Sequence, residues 1–140
     1  MSIRKLRSRL ILFSCVLLLL VIDLGLRLTS YRRMCRWLLT LSPSPDPTVT
    51  NREKAVVMAR VVNRASVVFS ASCLRRSLLV WWLLRWQRIP SDIQVGFSRE
   101  SGHAWVEHHG YVINDRQDIA TGYQITYDTD FTPERIAQIR

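Results

Sequence analysis

Cysteine is scarce in this chain: three residues, Cys15, Cys35 and Cys73, in 140. They are odd in number, sit in dissimilar surroundings and form no CxxC pair. This excludes a disulfide framework, argues against structural zinc and fits a reducing, cytoplasmic compartment. Histidine is equally rare, and with only three in the chain and no cysteine beside them neither a metal nor a cofactor is expected. Zinc-finger spacing, an RNP-like aromatic strand and a basic helix backed by heptads are all missing. Nucleic acid is therefore not an expected partner, although the net charge is +9. Acids are few in the first hundred residues, which carry a net +12 against −3 for the last forty. Such a gradient suits an acidic partner or an anionic membrane surface. No internal repeat or low-complexity tract is present.

What is there begins with a basic start (Arg4, Lys5, Arg7, Arg9) and an apolar run over residues 10–22, closed by Asp23. The outline is that of a signal peptide, but no small-x-small cleavage site follows. At thirteen residues the run is also short of the roughly twenty that span a bilayer. Extending the run to Leu28 would bury Asp23 and Arg27. A helix packed on the core is expected, with an interfacial helix held on a membrane by its arginines as the alternative. A second basic, amphipathic piece covers residues 31–41, with Arg32, Arg33 and Arg36 set among Met34, Trp37 and Leu38. Ser42-Pro43-Ser44-Pro45-Asp46-Pro47 then favours extended backbone. Residues 1–47 are thus expected as a helical basic arm with a Pro-rich linker, and residues 48–140 as the main α+β domain.

Thr50-Asn51-Arg52-Glu53 has the form of a capping box, and the stripe Ala55, Met58, Val62, Ala65, Phe69 follows helical spacing. Ser70-Ala71-Ser72 interrupts it, and the next helix is expected to start at or just before Cys73. Residues 78–84 are all apolar, so this helix should be the enclosed, central one, closed by Arg85, Arg88 and Pro90. After Pro90 the period changes to two. Ile93, Val95 and Phe97 mark one strand; residues 103–107 and 111–115 mark a hairpin. A fourth strand over residues 123–127 and a short helix opened by Thr132-Pro133-Glu134 complete the expected elements.

Placing Cys73 in the first turn of a helix aims free backbone amides at its sulfur, which favours the thiolate. Cys15 and Cys35 lie in apolar helical surroundings and are expected to be inert. The hairpin brings further groups. A two-residue loop, His109-Gly110, would pair Asp115 with Ala104 and turn His103 away. A three-residue loop, His108-His109-Gly110, would set His103 opposite Asp115. The glycine-terminated three-residue loop is expected, with Asp115 holding one ring nitrogen of His103 and the other facing Cys73, the logic of a nucleophile triad. His108 and His109 read as solvated loop residues. Trp105 is expected to wall the site or to be plain core, and Glu107 and Asn114 to support it.

Cys73-Leu74-x-Arg76-Ser77-Leu78, then Ile89-Pro90, then His103-Ala104-Trp105-Val106-Glu107, a Gly110 turn and Val112-Ile113-Asn114-Asp115 closely resemble the transglutaminase-like leader peptidase of lasso peptide biosynthesis, the B2 type of the B protein. The likeness spans about residues 50–127. It implies a papain- or transglutaminase-like core and a cysteine protease with Cys73, His103 and Asp115 as catalytic residues. The implied reaction removes the leader of a ribosomally made precursor before a cyclase closes the macrolactam. The residues before the capping box are too few for the strand-rich recognition domain that some members carry, so the resemblance implies a separate leader-recognition (B1-type) protein as partner. Acyl transfer to an amine, and a non-catalytic scaffold or membrane adaptor, are the competing expectations.

Overall fold

A computed structural model describes residues 2–68 and 70–125. Phe69, the last two residues of the expected fourth strand and the helix expected at Thr132 lie outside the described residues. Four helices come first: α1 (Ile3–Leu28), α2 (Tyr31–Thr40), α3 (Arg52–Ser66) and α4 (Cys73–Trp86). An antiparallel sheet follows, built from β1 (Asp92–Phe97), β2 (Gly102–His108), β3 (Tyr111–Val112) and β4 (Gln124–Ile125) in the order β3-β2-β1-β4.

The apolar run of residues 10–22 is the middle of a continuous 26-residue helix. Cys15, Leu19, Ile22 and Leu26 recur at helical spacing and are its buried side. By length and composition α1 is long and apolar enough to cross a membrane, with 22% of that span buried against the protein. Asp23 is accommodated by charge: its carboxylate pairs with Arg27 at 2.9 Å and with Arg75 of α4. Ser30 caps α2, accepting from the Arg33 amide. Trp82 of α4 donates its indole N–H to Leu38 O at 3.0 Å. The Pro-rich segment is tied to the end of α4, with Arg85 Nε donating to Ser42 Oγ at 2.9 Å and the Asp46 amide to Arg88 O at 3.0 Å. Residues from α1 and α2 share one apolar cluster with α3, α4 and the sheet.

The helix expected to be capped by Thr50 starts one residue later. Asn51 is the cap, its side chain accepting from the Lys54 amide at 3.1 Å. The cause is tertiary: the Asn51 amide itself donates to His108 Nε2 at 3.3 Å, fixing this residue at the helix mouth. The fully apolar stretch of α4 is enclosed as its composition requires, with Leu78, Leu79, Val80 and Leu84 buried. It ends in a Schellman turn, where Arg88 takes φ 57° and the Ile89 amide donates to Leu84 O.

The hairpin corrects the expected register. Glu107 pairs with Val112 and His108 with Tyr111, leaving the two-residue loop His109-Gly110 with φ 48° and 77°, the left-handed pair of a tight hairpin turn. His108 is drawn out of the turn and into β2, where both its ring nitrogens find backbone partners, the Asn51 amide and the Pro90 carbonyl. It is no solvated loop residue: it is 2% exposed.

Candidate active site

Cys73 opens α4 as a free, buried thiol, 2% exposed. Ser72 stands at the N-cap position but makes no side-chain cap; its hydroxyl accepts instead from Arg75 at 2.7 Å. The amides of the first turn are thus not consumed by the residue that would ordinarily cap them. One turn further along the same side of the helix, Ser77 donates to Ala104 O at 3.1 Å, so this side of α4 lies on β2 next to His103.

With a two-residue loop, a continued β3 would have turned His103 and Asp115 to opposite faces. The strand stops at Val112 instead. The Ile113 amide still donates to Val106 O at 3.0 Å, but the Val106 amide donates to the Asn114 side chain, Oδ1 at 2.8 Å. A side chain thereby takes the place that the next backbone carbonyl would hold in the ladder, and the chain bends through residues 113–115. That bend swings Asp115 to His103, whose Nε2 donates to Oδ2 at 2.6 Å. The other carboxylate oxygen accepts from the Arg116 amide at 2.8 Å. Asn114 also donates from Nδ2 to Ser77 Oγ at 3.0 Å. One asparagine therefore connects the helix that carries Cys73, the strand that carries His103 and the bend that carries Asp115.

The His103 ring lies nearly parallel to those of Tyr123 (5.3 Å between centroids, 23°) and Trp105 (6.1 Å, 24°). Trp105 is fully buried, and its indole donates to Glu107 Oε1 at 2.9 Å. Gly96, paired directly with His103 across the sheet, explains how Tyr123 comes so near. A Cβ at Gly96 would stand 2.6 Å from the Cβ of Tyr123. Tyr123 was not legible as a site residue in the sequence; the signal was this glycine inside a strand, which marks a close approach.

The remaining thiols differ in kind. Burial pushes the Cys15 thiol up. Burial pushes Cys35 up to about 11, against a smaller opposing pull from the Tyr31 hydroxyl. Neither supplies a nucleophile near neutral pH. Among the described residues no group of three histidine, cysteine or acidic side chains gathers to hold a metal ion.

Neither curated proteins nor solved structures gave a match to the chain. The sequence profile of the Transglutaminase-like superfamily matches residues 18–128, from the middle of α1 through the whole described sheet. That superfamily includes cysteine peptidases and acyltransferases. The chain belongs to the transglutaminase-like superfamily.

Proposed function

We propose that this protein is a cysteine peptidase that removes the leader from a lasso peptide precursor, ahead of macrolactam formation by a cyclase. The observation that carries this reading is the 2.6 Å pair between Asp115 and His103, the latter on the strand against which the Cys73 helix packs. The Cys73 thiolate attacks the scissile carbonyl, forming a tetrahedral adduct. The His103 imidazolium gives its proton to the departing amine, leaving a thioester on Cys73. Water, deprotonated by His103, then releases the carboxylate product and restores the thiol. Asp115 holds Nε2, so that Nδ1 is the ring atom that exchanges the proton, and it stabilises the imidazolium. Uncapped amides of the first turn of α4 are natural donors to the adduct's oxyanion.

The test combines the protein with a leader-bearing precursor and a separate recognition protein, and follows cleavage by mass. Cleavage that disappears in Cys73→Ala supports the reading, whereas cleavage that survives the substitution removes it. A product carrying an added amine in place of a new carboxylate assigns acyl transfer instead.

A further inference from the structure

The helix α1 has two apolar sides. Cys15, Leu19, Ile22 and Leu26 face the core. Phe13, Leu17, Val21, Leu24 and Leu28 recur at the same spacing on the opposite side and are exposed, Phe13 by 61% and Val21 by 62%. At 1.5 Å per residue, the 26-residue helix is about 39 Å long. Among the described residues nothing covers this outer stripe, which is far longer than the scattered apolar side chains of an ordinary surface.

Charge says what fits it. Arg4, Lys5, Arg7 and Arg9 stand at one end, and Arg32, Arg33 and Arg36 lie beyond the other end on α2, beside the half-exposed Trp37. Up to Pro45 the sequence has a single acid, Asp23, and its carboxylate is already paired with Arg27 and Arg75. The stripe is the outward side of a helix packed on a bundle, hence a convex ridge; a helical peptide would want a groove. A ridge of this length, apolar along its crest and arginine-rich at both ends, matches a flat anionic surface with an apolar layer just beneath it.

We propose that α1 lies in the plane of an anionic membrane, inserting its outer stripe below the headgroups while its inner stripe stays in the protein core. The contact is independent of the peptidase reading, because it uses neither Cys73 nor the hairpin. It would place the site at a membrane surface.

Full-length protein is sedimented with vesicles of phosphatidylcholine, alone or mixed equally with phosphatidylglycerol. Binding should favour the anionic vesicles by tenfold or more and fall in high salt, as an exposed electrostatic contact must. Phe13→Ser with Val21→Ser should weaken it about tenfold at unchanged melting temperature. Val68→Ser, an exposed valine outside α1, should leave it unchanged. Equal binding to both vesicles, or retention after alkaline carbonate washing as for a spanning helix, overturns the proposal. So does an absence of binding, including the case in which the protein self-associates and the double variant abolishes it, which would seat a second copy on the stripe.

Discussion

His103 and His108 stand five residues apart on β2 and project to opposite faces of the sheet, and their partners differ in kind. His108 is committed at both ring nitrogens: Nδ1 donates to Pro90 O at 2.5 Å, and Nε2 accepts from the Asn51 amide. With these partners the ring proton sits on Nδ1 and Nε2 is an acceptor. His103 has an acid on one nitrogen, a partner that favours the imidazolium, and its side chain is 15% exposed. One histidine is held by two backbone groups, the other by a carboxylate. Burial alone does not separate structural from chemical histidines; the charge of the partner does.

The largest effect should come from His103. Replacing it by alanine is expected to lower precursor cleavage about a thousandfold or more with little change in melting temperature; Asp115→Asn should cost on the order of a hundredfold to ten-thousandfold. Cleavage near the wild-type rate in either variant would break the comparison at its chemical end. His108→Ala acts on stability instead. It strands the Pro90 carbonyl and the Asn51 amide, and urea unfolding should show a loss of about 1–3 kcal/mol. Cleavage per folded molecule should be unchanged. A His108 variant of full stability and no activity would exchange the two roles.

The difference between these histidines was only half legible in the sequence. The start of α4 at Cys73, its apolar body and the change of period after Pro90 were readable, because each follows from local composition. The place of His108 was not. Its burial depends on Asn51, 57 residues away, and on the Pro90 carbonyl, and no periodicity encodes either contact. The hairpin register is hidden in the sequence for the same reason, since the side-chain bonds of His108 hold it in β2 and leave a two-residue loop. His103 and Asp115 nonetheless meet, through a bend that strand counting cannot foresee. In α1 the apolar run was visible, but that it carries two opposite stripes emerged only once its packing partners were known.

Asn114 gives the smallest and most discriminating test, because it touches neither histidine yet sets the bend on which the comparison depends. Asn114→Ala removes the acceptor for the Val106 amide and the donor to Ser77, and should cost about 1–2 kcal/mol in unfolding. If the bend positions Asp115, cleavage should also fall, by about tenfold, in kcat with KM unchanged, because an orienting contact is lost and no binding contact is. Asn114→Asp separates the two bonds: its carboxylate can still accept from Val106 but cannot donate to Ser77. Recovery of most of the lost rate in Asn114→Asp would assign the positioning to the strand contact; a rate no better than that of the alanine variant would assign it to the helix contact. Loss of stability with no loss of rate in either variant would mean that Asp115 finds His103 without the bend, and that the carboxylate alone distinguishes the two histidines.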